Sequence, residues 1–152
     1  LVGSEMCIRD RVNKFGVPSF VFSREEFIAG VPILEKLAEY DVCLIVLAGF
    51  MNKISDVILQ AFPGKIVNIH PALLPKYGGK GMYGMHVHEA VVKAGERESG
   101  ITIHYINEHY DEGAIIFQAS CPVLPSDTPE EVASKVHALE YAHYPHVIES
   151  LL

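Results

Sequence analysis

Along these 152 residues the spacing of apolar positions changes repeatedly between strand-like and helix-like periods. Pro18 to Phe22 predicts a short strand. Ser23-Arg24-Glu25-Glu26 then forms a capping-box pattern, in which the Ser hydroxyl and the Glu three residues on satisfy each other's backbone donors. Gly30 and Pro32 interrupt the helix that follows, so a second helix starts there and runs to Tyr40, with Leu34, Leu37 and Ala38 on its apolar face. Val42 to Leu47 is apolar at every position, which predicts a strand buried on both faces, as in a parallel sheet. Ser55 to Phe62 predicts a short helix ended by Pro63-Gly64. Lys65 to His70 predicts the next strand, stopped by Pro71. The segment from Ala72 to Gly84 holds four glycines and Pro75 and is expected to be a long loop. A helix is expected over Met85 to Gly95, and two antiparallel strands over Ile101 to Asn107 and Ala114 to Val123. Thr128-Pro129-Glu130-Glu131 combines a capping box with Pro at the first helical position, a strong helix start. Val132, Val136, Leu139, His143 and Val147 mark that helix's buried stripe, and Pro145 is expected to kink or divide it.

Composition narrows the class. Apolar residues make up 49% and charged residues 20%, the reverse of the balance that prevents folding. No apolar run approaches the roughly 18 residues of a spanning helix. Twelve basic against nineteen acidic residues give a formal charge of −7, which weighs against nucleic acid as a partner. The expectation is one soluble acidic domain over residues 12–152. Residues 1–11 lack a clean period and read as a non-native or disordered leader, a native arm being the alternative. Three cysteines without a Cys-x-x-Cys spacing fit reduced structural thiols in a cytoplasmic protein.

Ligands of open α/β sheets bind beyond the carboxyl ends of the strands. The strand Lys65 to His70 ends in Asn68-Ile69-His70, where Asn68 and His70 share one face. An amide and an imidazole there could converge on a small reacting group, or could simply bond the following loop. Asp111, in the turn Asn107 to Gly113, is ordinary turn chemistry unless the turn overhangs that strand end. Beside His70 it would favour the imidazolium, a proton donor. His86-x-His88 does not share a helix face, so a zinc site is not expected. Glu140 lies four residues after Val136, towards the packed side, and as a buried acid needs a partner. Gly78-Gly79-Lys80-Gly81 lacks the strand-loop-helix setting of a phosphate cradle and reads as a mobile loop.

Four runs occur in order: Leu47-Ala48-Gly49-Phe50-Met51; Asn68-Ile69-His70-Pro71 leading to Leu73-Leu74-Pro75-Lys76-Tyr77; Gly100 to His104; and Asp111-Glu112-Gly113. From about residue 12 to the end the chain resembles the phosphoribosylglycinamide formyltransferases, folate-dependent enzymes of purine synthesis. The resemblance implies an α/β, Rossmann-like formyltransferase fold. Its sheet would be mixed and mostly parallel with an antiparallel C-terminal hairpin. It also implies a catalytic trio of Asn68, His70 and Asp111, acting as the glycinamide amine attacks the formyl carbon of 10-formyltetrahydrofolate. His70 would be general acid and oxyanion stabiliser, Asn68 a second oxyanion donor, and Asp111 the group supporting the imidazolium. Folate contacts would come from Arg24, Met51, Asn52, Lys53 and Ile54, from Asn68, and from Asn107, Glu108, His109, Tyr110 and Asp111. His137, Ala138, Leu139 and Glu140 would hold the ribonucleotide. Implied partners are these two small molecules, with no metal, nucleic acid or membrane; a homodimer is one assembly the family allows.

Two departures stand out. The loop around Gly79 to Tyr83 is longer than in many relatives. The first βαβ portion, with its phosphate-binding turn, has no counterpart here, so about the first fifty to sixty residues of a family member are expected to be missing. Competing readings are a formyltetrahydrofolate hydrolase-like protein, a methionyl-tRNA formyltransferase relative, or an inactive folate-binding remnant. The tRNA enzyme would carry a basic C-terminal domain, unlike a chain of net charge −7. On this reading the polypeptide turns over weakly and tends to aggregate. Steady-state kinetics and sedimentation check this, and normal turnover by a well-behaved monomer would contradict it.

Overall fold

The computed structural model describes residues 9–152, so the expected leader falls partly outside the described residues; residues 9–14 are helical. The chain then forms α1 (Arg24–Ala29), α2 (Val31–Glu39), β1 (Ile45–Leu47), α3 (Asp56–Ala61) and β2 (Ile66–His70). These are followed by α4 (Met85–Lys93), β3 (Glu98–Tyr105), β4 (Ile115–Pro122) and α5 (Pro129–Glu149). The capping boxes at Ser23 and Thr128 both form. Gly30 ends α1 with φ 75°, a left-handed conformation that glycine adopts without a Cβ clash.

The four described strands lie in the order β1-β2-β3-β4. β1 pairs with β2 in parallel, and β2 with β3 and β3 with β4 antiparallel, which makes the sheet mixed. All five residues of β2 are buried. Val67 and Ile69 pack with Val91 of α4 and Val132 and Val136 of α5. Ile66, on the opposite face, packs with Ile58 of α3 and Phe27 and Leu34 of α1 and α2. Helices therefore cover both faces, and Asn68 and His70 end the most buried strand. The stripe expected on α5 faces inwards: Val132 and Val136 are fully buried, Leu139 and Val147 pack against the same cluster, and His143 stacks on Phe117 at 4.9 Å.

Two local expectations change, and one alternative of a third falls away. Pro18 to Phe22 forms no strand, because among the described residues no neighbouring strand supplies backbone partners. Phe20 packs instead on Tyr40 at 5.3 Å, with the Lys36 ammonium 4.9 Å from its ring. Val42 to Leu47 is a strand only over Ile45–Leu47, and it is not buried on both faces. Among the described residues β1 pairs with β2 alone, so Cys43 is exposed and Val46 keeps 39% of its surface. The final helix runs through Pro145 without division. Proline removes one N–H there, from a stretch whose neighbour Tyr141 is 81% exposed, where water can satisfy the freed carbonyl.

The β3–β4 hairpin requires glycine at two close approaches. A Cβ on Gly100 would lie 2.0 Å from the Ala119 carbonyl oxygen, and one on Gly113 would lie 1.6 Å from that of Tyr105. Gly113→Ala would force open the mouth of the hairpin, where the Tyr105 N–H donates to the Ala114 carbonyl at 2.9 Å. A loss of about 1–3 kcal/mol is expected from overpacking of this kind. Urea denaturation checks it, and an unchanged midpoint would contradict it.

Candidate functional site

β1 and β2 run parallel, and both carboxyl ends open into a cavity of about 820 Å³. That is within the size range of small-molecule sites. Asn68 and His70 project there from β2. Directly across from Asn68 on β3 stands His104, and the Asn68 amide nitrogen meets His104 Nε2 at 3.3 Å. The register of β3 against β4 shifts between Ile103 and His104, a bulge of the kind that re-aims side chains at functional edges. His104 Nδ1 donates to its neighbour's carbonyl, Tyr105 O, at 2.9 Å, so Nε2 is the acceptor for the amide. Burial pushes the His104 imidazole below its ordinary pKa, partly countered by that carbonyl and by Asp111. A neutral His104 is the state that fits its bonds.

The turn after β3 brings Asp111 over this strand end. Its backbone takes φ 57°, a left-handed conformation that Asp tolerates better than most residues. One carboxylate oxygen lies 3.6 Å from His70 Nδ1 and 3.7 Å from His104 Nε2, while the other accepts the Gly79 N–H at 2.8 Å. His70 Nε2 donates to the Tyr77 carbonyl at 2.7 Å. With that nitrogen committed as donor, Nδ1 gives a proton to Asp111 only from the imidazolium. The amide, imidazole and carboxylate thus meet at one rim, all at least mostly buried.

Met51, Asn52, Lys53, Ile54, Asn107, Glu108, His109 and Tyr110 line the same cavity, as do His137 and Glu140. Three expected contacts do not. Arg24 is exposed on the first turn of α1, and Ala138 and Leu139 face away. A helix turns about 100° per residue, so on α5 the cavity takes His137, Glu140, Tyr141 and Tyr144, while Leu139 joins the core. Burial raises the Glu140 carboxyl above its ordinary pKa, and His137 opposes this. Tyr144, also raised by burial, donates to the Leu47 carbonyl at 2.7 Å and ties α5 to the end of β1. His88 lines the cavity with Nδ1 unpaired among the described residues, its pKa lowered by burial and by the neighbouring His137 and His70.

The glycine loop has a more specific role than mobility. Gly79 donates to Asp111, and a Cβ on Gly78 would sit 3.2 Å from Asp111 Cβ and 2.6 Å from Leu74. His104, Tyr77, Gly79 and Tyr144 are the participants that residue spacing missed. Tyr144 alone had a signal, the i+4 step from Glu140 on one helix face. Among the described residues no group of three His, Cys, Asp or Glu side chains is placed to hold a metal ion.

Comparison with known proteins gives a consistent picture. The family model described as formyl transferase matches residues 4–148. The chain is 42% identical over 141 residues to the chloroplastic phosphoribosylglycinamide formyltransferase of Arabidopsis thaliana, covering 90% of this chain and 48% of that protein. It is 40% identical over 147 residues to the phosphoribosylglycinamide formyltransferase of Bacillus subtilis, covering 94% and 73%. A crystal structure of the Streptococcus pneumoniae phosphoribosylglycinamide formyltransferase superposes with a TM-score of 0.84 at 35% identity, over 95% of this chain and 79% of that one. The chain spans about half the length of curated plant relatives that it matches.

Glu140 gives a test of the site's electrostatics. Its folded pKa is raised, so ionised Glu140 costs stability as pH rises above the ordinary carboxylate range and costs nothing where both states are protonated. Glu140→Gln is therefore expected to raise the melting temperature at pH 7 and to leave it unchanged near pH 3. Thermal melts at both pH values check this, and an equal shift at both would contradict it. The depressed pKa values of His88 and His104 have the opposite sign, lowering stability as pH falls below about 6.5.

Proposed function

The chain belongs to the formyl transferase family, and on that premise we propose that it transfers a formyl group from 10-formyltetrahydrofolate to the amine of glycinamide ribonucleotide. One observation carries the reading: Asp111, from a turn about forty residues along the chain, lies 3.6 Å from His70 at the end of β2. Acyl transfer to an amine needs a donor for the developing oxyanion and a route for the proton the amine sheds. This rim offers both.

The cavity fits the two small molecules. Walls from Leu47 to Phe50 and Ile106, with the backbone of the 107–111 turn, suit a flat heterocycle that is apolar on its faces and polar at its edges. Glu140 and His137 on α5 offer a carboxyl and an imidazole to sugar hydroxyls across the same cavity. In the reaction the amine nitrogen bonds to the formyl carbon, and the carbonyl electron pair moves onto oxygen. Asn68 has an amide N–H beyond the one directed at His104, and that N–H meets the oxyanion. From Nδ1, the nitrogen not given to the Tyr77 carbonyl, His70 supplies the proton-donating contact, steadied by Asp111. Collapse breaks the bond between the formyl carbon and the folate nitrogen, which leaves with a proton, while the attacking amine loses one. Asp111, within reach of both imidazoles, is the carboxylate through which that proton is relayed. The partners are these small molecules, a net charge of −7 disfavouring nucleic acid. A reducing compartment, the cytoplasm, suits the free thiols of Cys43 and Cys121.

Removing the imidazole is the direct test. His70→Ala is expected to lower turnover by roughly 10²–10⁴-fold, the scale of a positioned acid–base group, with folate affinity nearly unchanged. Product formation followed with both substrates, beside calorimetric folate titration, checks this. Turnover within a few-fold of the parent would overturn it.

A further inference from the structure

Tyr77 has an unusual backbone for an aromatic residue. Its φ of 56° lies in the left-handed region, which costs a bulky side chain energy unless the surroundings enforce it. Its carbonyl in that conformation is the acceptor for His70 Nε2 at 2.7 Å. Two contacts hold the residue there. The ring packs against the core cluster around β3 and α5. The hydroxyl donates to Glu96 Oε1 at 2.9 Å, an oxygen that also takes the Lys76 ammonium at 2.9 Å. Glu96 stands in the turn between α4 and β3, nineteen residues away, and its own N–H is tied to the Val91 carbonyl. The catalytic loop is thus pinned to a scaffold turn that takes no part in lining the cavity. Bonds from Lys76 and Tyr77 hold the Glu96 carboxyl below its ordinary pKa, which keeps it an acceptor.

We propose that Glu96 is a positioning residue for the reaction: through the Tyr77 hydroxyl it fixes the Tyr77 carbonyl, which sets the ring orientation and proton placement of His70 against Asp111. The proposal rests on the formyl-transfer reading for its kinetic consequence and on the hydrogen bonds alone for its structural one. A simple loop staple would change stability and leave the state of the imidazole alone, whereas a positioning role changes the imidazole.

The test uses the full chain with Tyr77→Phe, Glu96→Ala and Glu96→Gln. Tyr77→Phe keeps the ring packing and guards against a Glu96→Ala variant that does not fold. Nitrogen–proton correlation spectra of the His70 ring are expected to lose the hydrogen-bonded Nε2–H signal in Tyr77→Phe and Glu96→Ala. In Glu96→Gln, which keeps an oxygen for the hydroxyl, the signal is expected to persist. The kcat is expected to fall about ten- to a hundredfold with a shifted pH profile, as for a catalytic group displaced by about an ångström. The KM for folate should change little, and Glu96→Gln should recover most of the rate. An unaltered His70 spectrum in Tyr77→Phe, with kcat within twofold of the parent, would overturn the proposal whatever the melting temperature. A parent without formyl transfer but with the spectral change would overturn the functional reading and uphold the positioning.

Discussion

The Asp111 carboxylate is where three separate parts of the chain are joined. One oxygen faces both His70 from β2 and His104 from β3, and the other takes the Gly79 N–H from the long loop after β2. A carboxylate with 14% of its side chain exposed needs such partners, because leaving it unpaired away from water would cost several kcal/mol. Both imidazoles are also committed elsewhere. His70 Nε2 donates to the Tyr77 carbonyl. Neutral His104 donates from Nδ1 to the Tyr105 carbonyl and accepts the Asn68 amide at Nε2, so it stands beside the carboxylate without donating to it. The rim of the cavity is therefore a connected polar network, in which the position of one group constrains the others.

The fold exists to hold that network still. β2 is buried along its whole length and flanked by strands on both sides, so the direction of Asn68 and His70 is decided by the core rather than by the site. The hairpin brings Asp111 back over the strand end only because Gly113 lets the two strands close tightly and Asp111 itself accepts a left-handed backbone. The cavity's far wall comes from α5, clamped to β1 and β2 through the Tyr144 hydroxyl and the Leu47 and Val67 carbonyls.

Much of this was legible in the residues. The helices starting at Ser23, Pro32 and Thr128 followed from caps and prolines, local signals that tertiary structure seldom overrides. The structure brings Asn68, His70 and Asp111 to one rim and places residues 51–54 and 107–110 around the same cavity. The departures have different causes. Pro18 to Phe22 and Val42 to Leu47 are apolar, and apolarity reports burial preference and not the presence of a pairing strand. Arg24 is exposed away from the cavity, and of the contiguous stretch 137–140 on one helix only His137 and Glu140 face it. His104, Gly79 and the Tyr77 carbonyl went unnoticed because their roles depend on backbone groups and cross-strand registers that side-chain types do not reveal.

The central claim is that His70 and Asp111 act as one unit. A double-mutant cycle on kcat/KM, with His70→Ala, Asp111→Ala and the pair, measures this directly. The account predicts strong non-additivity, the double variant being little worse than the more damaging single one. Effects that simply multiply would mean that the carboxylate and the imidazole work independently, and would contradict it.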